Sequence, residues 1–159
     1  MNRILEKIRA LLGKDSKFRE PILYLIFGAL TTLVNWAVFF LVTGIFGLSS
    51  MERGSAVFVV LSNAGQMLAW ILSVVFAYVT NKKFVFESKK EDKAGTWKEF
   101  GLFVSARVAS LLIFDLALFN ICLLLGMNVT WDKLLMNVLV VIFNYVASKF
   151  VIFKRKEKA

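Results

Sequence analysis

Two charged side chains stand inside an otherwise apolar stretch of the sequence, Arg107 and Asp115, both between Phe100 and Leu125. A guanidinium offers a planar fork of donors that matches the oxygens of a phosphate or phosphodiester. Arg107 follows Phe100 by seven residues, so on a helix it lies about 10 Å into the stretch. That depth also lets the side chain reach back to an interface, which lowers the cost of its charge. Asp115 comes eight residues later, about 12 Å on and some 80° round a helix, so a direct salt bridge between the two is not expected. Its partners are expected on other elements: Asn35, at a similar depth in the first apolar stretch, or Asn63 and Gln66 in the second. An acid so placed ties helices together, accepts hydrogen bonds from a ligand's hydroxyls, or carries a coupling proton.

Further polar groups share these stretches. Asn35, Asn63, Gln66, Asn81, Asn120 and Asn144 are able to bind a hydroxylated ligand. The same amides also hold helices together at about 0.6 kcal/mol per contact, which is role enough for most of them. Lys82, Lys83 and Lys149 close two of the apolar runs, where a lysine serves either as a topological anchor or as a phosphate ligand. Histidine is absent and the one cysteine is Cys122, which excludes imidazole proton relays, histidine metal sites and an intrachain disulfide. The sequence has no paired-carboxylate site, no Gly-rich phosphate loop and no metal-ligand cluster. Asp115 alone cannot supply the two-carboxylate geometry of glycoside chemistry. A ligand-binding or ligand-moving protein is therefore expected rather than an enzyme, with no cofactor and no metal.

The elements that must position these groups are membrane spans. Hydrophobic residues make up 58% and charged residues 19% of the chain, against about half and a quarter in a soluble domain. No residue is charged between Glu20 and Glu52, or between Arg53 and Lys82, and these runs exceed the ~20 residues that cross a bilayer. An all-α fold of four transmembrane helices follows, with spans at about 22–48, 57–80, 100–125 and 134–153 forming one domain over 21–153. Pro21 stands at the entrance of the first, where a missing N–H costs nothing. The fourth has fifteen uncharged residues before Lys149, and reaches ~30 Å if that lysine extends to the interface. Ile4, Leu5, Ile8, Leu11 and Leu12 recur at helical spacing among basic residues; residues 1–20 are thus expected to include a short amphipathic helix on the membrane surface. The first apolar run is too long for the core of a secretory signal peptide and must act as its own insertion signal.

The net charge of +9 would point to nucleic acid if it lay along one solvated face. Instead, six basic residues precede the first span, six lie between the second and third, and five end the chain, so seventeen of the twenty fall on one side. The positive-inside rule then puts both termini, and the basic tail 154–159, in the cytoplasm. No nucleic-acid partner is expected, and Trp97 and Trp131 read as interfacial belt residues.

The second and fourth spans end alike. Phe76-Ala77-Tyr78-Val79-Thr80-Asn81-Lys82, with Phe86 four residues on, aligns without a gap to Phe143-Asn144-Tyr145-Val146-Ala147-Ser148-Lys149, with Phe153 four residues on. A two-helix unit used twice explains this, and with an even number of spans per unit both copies enter from the same side. Ser148 stands where the first copy has Asn81, and Lys149 is followed by Phe150 rather than a second basic residue.

From about Phe18 to Phe153 the sequence resembles the GtrA-like family of small four-span membrane proteins. The resemblance lies in Phe27, Gly28, Thr31 and Thr32, then Tyr78, Asn81, Lys82, Phe84 and Phe86, then Trp97 and Phe100 before Arg107, and last Asn144, Lys149 and Phe153. It implies a bacterial plasma-membrane protein of cell-surface polysaccharide or teichoic acid glycosylation that flips or carries a polyprenyl-phosphate-linked sugar. Arg107, Lys82, Lys83 and Lys149 would hold the phosphate at the cytoplasmic end. Asp115, Asn35, Asn63, Gln66, Asn81 and Asn144 would face the sugar, and a second copy would complete the site. Two alternatives are an anchor or activator of a membrane glycosyltransferase, docking through the charged connection from Glu87 to Glu99, and a small proton-coupled exporter. The exporter ranks last, because the ends are basic and the spans hold a single acid.

Overall fold

The computed structural model describes residues 13, 16–88 and 93–154. The amphipathic segment expected among the first fourteen residues lies outside them. Among the described residues every regular element is helical, and four helical stretches are long and apolar enough to cross a membrane: Arg19–Ile45, Ala56–Val85, Ala94–Leu124 and Val129–Ile152. The chain divides into two compact units, Met1–Val85 and Phe86–Ala159.

The first unit is a helical hairpin. Helix α1 spans Arg19–Ile45 and has Pro21 in its first turn, where backbone N–H groups have no intrahelical acceptor. Its end is set by Gly47 at φ +61°, whose N–H donates to the Gly44 carbonyl at 3.1 Å before a short 3₁₀ turn at Leu48–Ser50. Helix α2, Ala56–Thr80, starts at Ser55, whose hydroxyl accepts from the Phe58 N–H at 3.3 Å and so satisfies one of the orphan donors of the first turn. Its buried positions fall at four-residue spacing, Gly65, Ala69, Ser73 and Ala77, and the hairpin closes tightly there. A Cβ at Gly65 would meet Val42 Cγ1 at 3.2 Å, so glycine lets the backbones approach. Helix α1 buries only Tyr24, and Leu25, Phe40, Leu41 and Ile45 are more than half exposed, as expected when lipid is the solvent.

In the second unit, α3 (Lys93–Ser110) runs through a π-helical stretch at Leu111–Leu118 into α4 (Phe119–Leu124). Gly126 at φ +86° turns the chain, and the Asn128 side chain caps α5 (Val129–Ala147) by accepting from the Thr130 N–H at 2.9 Å. Buried residues on α5 and its extension again follow four-residue spacing: Asp132, Met136, Asn144, Ser148 and Ile152.

Each unit ends its last spanning helix with one π-helical turn, Asn81–Val85 in the first and Ser148–Ile152 in the second. Both turns obey the sequence offset of 67 that carries Phe76 onto Phe143, so the internal repeat is structural as well as textual. In the first, Thr80 Oγ1 donates to the Phe76 and Ala77 carbonyls at 2.9 and 3.2 Å, and Asn81 Nδ2 donates to the Ala77 carbonyl at 2.7 Å. Side chains that take up those carbonyls loosen the i→i−4 ladder where the wider turn begins.

Candidate functional site

Glu99, Phe103 and Arg107 share one face of α3 at four-residue spacing. Phe103 is fully buried, and the Arg107 guanidinium carbon lies 3.4 Å from its ring centroid, the separation of a flat cation–π stack. Phe103 in turn meets Phe153 at 6.0 Å, and Phe153 stacks on Phe86 at 5.2 Å and 16°. Arg107 is therefore seated on a bed of interlocked rings. A stacked guanidinium keeps its N–H groups in the plane parallel to the ring, which fixes the direction of its donors. A hydrogen-bond chain braces the same turn: Asn144 Nδ2 donates to Ser110 Oγ at 3.0 Å, and Ser110 Oγ donates to the Arg107 carbonyl at 2.8 Å. On the π turn after α5, Lys149 Nζ donates to Tyr145 Oη at 3.3 Å and lies 5.7 Å from the Tyr145 ring centroid.

The first unit repeats the last arrangement. Lys82 Nζ lies 5.8 Å from the Tyr78 ring centroid, so the two repeats hold equivalent lysines over equivalent tyrosines. Lys83, one residue on, is exposed. The buried residue before each lysine differs: Asn81 bonds the Ala77 carbonyl through its Nδ2, whereas Ser148 makes no side-chain bond; among the described residues Asn81 Oδ1 and Ser148 Oγ are both buried with no hydrogen-bond partner.

At the other end of the second unit, Asp115 Oδ1 accepts from Lys133 Nζ at 2.8 Å. The lysine sits in the first turns of α5, 5.7 Å from the Phe119 ring centroid. Asp132, beside it in sequence, is fully buried, and neither of its carboxylate oxygens has a hydrogen-bond partner among the described residues.

The family described as GtrA/DPMS, transmembrane domain, matches residues 23–153, a range that takes in all of these groups. This chain belongs to the GtrA/DPMS transmembrane-domain family. Among similar proteins, the "Uncharacterized membrane protein YwcD" of Bacillus subtilis (strain 168) is 40% identical, over 86% of this chain and 98% of its own. The "Cell wall teichoic acid glycosylation protein GtcA" of Listeria innocua is 35% identical over 94% of this chain and 98% of its own. The protein of the same name from Listeria monocytogenes serovar 1/2a is 34% identical over 96% of this chain and 100% of its own. No solved structure matches the chain. It is a multi-pass membrane protein of this family.

Within this GtrA/DPMS domain the residues singled out from sequence divide by unit. Arg107, Asn144 and Lys149 belong to the second, with Asn144 tied through Ser110 to the backbone of Arg107. Lys82, Lys83, Asn35, Asn63, Gln66 and Asn81 belong to the first. Asn35 is half-buried and Asn81 buried, but Asn63 and Gln66 are exposed, off the buried stripe of α2. Asn120 is exposed too and donates to the Leu116 carbonyl of its own helix. Asp115 has a different partner from the amides expected for it. The π-helical stretch around it changes the facing that a straight α-helix would give, and the long side chain of Lys133 reaches it from the start of α5. Sequence reasoning passed over Ser110, Lys133 as a partner, and Asp132. The repeat held a signal for the last, since the offset of 67 sets Asp132 on Gly65, a charge against the smallest residue.

Proposed function

We propose that this protein flips or carries a polyprenyl-phosphate-linked sugar across the bacterial plasma membrane for glycosylation of cell-surface polysaccharide or teichoic acid. Arg107 carries the reading: a guanidinium inside a spanning helix, laid flat on a buried phenylalanine and braced by Asn144 and Ser110. A charge at such depth costs about 2.5–3.5 kcal/mol on insertion scales, and a directed fork of donors suits the phosphate of a lipid carrier. Lys149 on the same unit supplies further positive charge for that phosphate, and Lys82 and Lys83 carry the corresponding charge at the equivalent helix end of the first unit. Asn144 and Asp115 are the polar groups for the sugar in the second unit, and Asn35 and Asn81 are those of the first. The names of the Listeria relatives, cell wall teichoic acid glycosylation proteins, support the product class. With the basic ends cytoplasmic, loading takes place at the inner leaflet. No covalent step is assigned to the chain.

Replacing Arg107 by alanine should abolish movement of a lipid-linked sugar to the outer leaflet of reconstituted vesicles while insertion is retained. Wild-type movement by that variant would sink the proposal. Asn63 and Gln66, exposed within a span, support a second copy as a partner, because amides facing lipid gain from pairing with one another.

A second reading is an anchor or activator of a membrane glycosyltransferase. It is favoured by Trp97, 71% exposed near the start of α3, where an aromatic side chain suits a protein interface. Glu99 is withdrawn from such a surface, being buried and accepting from Ser88 Oγ at 2.9 Å. Replacing Trp97 by alanine should break synthesis of the sugar carrier if this reading holds, and spare its movement if the first does.

A further inference from the structure

The buried face of α5 and its π-helical extension carries a line of acceptors with no donor facing them among the described residues. Asp132 and Ser148 are fully buried and Asn144 is 7% exposed, and among the described residues Asp132 Oδ1 and Oδ2, Asn144 Oδ1 and Ser148 Oγ have no hydrogen-bond partner. They fall on the same four-residue repeat, with the buried Met136 between them. A buried carboxylate lacking any partner is among the costliest groups a fold can keep. The corresponding position of the first unit is Gly65, where a Cβ would meet Val42 Cγ1 at 3.2 Å, so the repeated hairpin does not itself call for an acid there.

The chemistry of the line narrows its ligand. A protein ammonium is not the partner, since Lys133 is engaged by Asp115 at 2.8 Å, and neighbouring positions on a helix do not face each other. A bare cation wants six or more oxygens at one level. The line offers Asp132 at one end and, twelve residues away, or about 18 Å along the helix, Asn144 and Ser148 at the other. Two separated sets of acceptors suit a ligand rich in O–H donors that stops twice. A carboxylate with both oxygens available matches a pair of neighbouring hydroxyls on a sugar ring.

We infer that Asp132 is a sugar-binding residue, the far station of a track on α5 whose near station is Asn144 with Ser148. This rests on the carrier function proposed above and adds to it the group that receives the sugar once it has left the Arg107 and Lys149 end. The near station is tied to Arg107 through Ser110, so phosphate and sugar engage adjacent turns at loading. The far station accepts the sugar hydroxyls at the Asp132 end, whose span end is the outer one in the proposed orientation.

The test uses full-length protein in liposomes with two probes, a short-chain polyprenyl-phosphate hexose and the same polyprenyl phosphate without sugar. Asp132→Asn and Asp132→Ala should slow movement of the hexose-bearing lipid at least tenfold and leave the bare lipid within twofold of wild type. Both variants should also melt at or above the wild-type temperature, because an uncompensated buried carboxylate has been removed. Equal slowing of both lipids, unchanged movement of the hexose-bearing lipid, or a clear fall in melting temperature would overturn the assignment to Asp132 while leaving the carrier function standing. A wild type that moves neither lipid would overturn both. Ser148→Ala is the companion variant: it should weaken binding of the hexose-bearing lipid over the bare one at equilibrium, and equal binding would remove the near station.

Discussion

Substituting Arg107 separates a charge kept for packing from one kept for a ligand, and the two substitutions Arg107→Ala and Arg107→Lys give different answers for each. In the alanine variant the stack on Phe103, 3.4 Å from ring centroid to guanidinium carbon, is lost, at about 0.5–2 kcal/mol. The insertion cost of about 2.5–3.5 kcal/mol is relieved at the same time. These oppose each other and the relief is the larger, so the folded protein should keep its stability or gain about 0.5–3 kcal/mol. Binding behaves differently. Loss of a charge-assisted hydrogen bond costs about 1.5–3 kcal/mol, or roughly 10- to 150-fold in affinity. Lysine keeps the charge but neither the planar fork nor the flat seat on Phe103, so it should recover only part of that loss. Native mass spectrometry titrated with a short-chain polyprenyl phosphate measures the affinities, and a melting curve in the same detergent measures stability. The reasoning fails if the alanine variant binds within threefold of wild type, or if lysine restores binding completely.

Other variants probe the frame around the site. Gly65→Leu should destabilise the first unit by about 1–3 kcal/mol through overpacking against Val42 and Phe39, read as a lower melting temperature. Lys133→Ala leaves Asp115 without its partner and should be more harmful than Lys133→Ala with Asp115→Asn together; the double-mutant cycle measures the coupling, and an additive result would deny it. Replacing Asn63 and Gln66 together by leucine should shift a dimer toward monomer in native mass spectrometry, modestly, at about 0.6 kcal/mol per amide. No change in copy number would mean that these amides do not join copies.

Four spans were legible because charge is a blunt and reliable marker in a bilayer. Thirty uncharged residues in a row cannot be laid over a soluble surface, and Lys82, Lys83 and Lys149 mark where the runs stop. The repeat was legible because aromatic residues at the helix ends are few enough for a gapless match to stand out. The facing of individual groups was not. Asn63 and Gln66 looked interior because they are polar, yet apolar residues surround the whole helix, so periodicity gives no inside. The π-helical stretch around Asp115 shifts the register by side-chain and packing detail that propensity does not carry. Asp132 was hidden by its position: an acid in the first turn of a helix is ordinarily explained by the helix dipole, and its neighbours Trp131 and Lys133 are exposed.

Helix α1 has 27 residues and a single buried side chain, Tyr24. At about 1.5 Å per residue it is ~40 Å long, some 10 Å more than a typical hydrocarbon core. The excess must be taken up by tilting or by local thickening of the bilayer, each at a fraction of a kcal/mol per ångström. The thickness of the surrounding membrane thereby becomes a setting of the hairpin that Gly65 closes. Lipid chain length, chosen by the cell or by the experimenter, acts on this protein as temperature or pH acts on others.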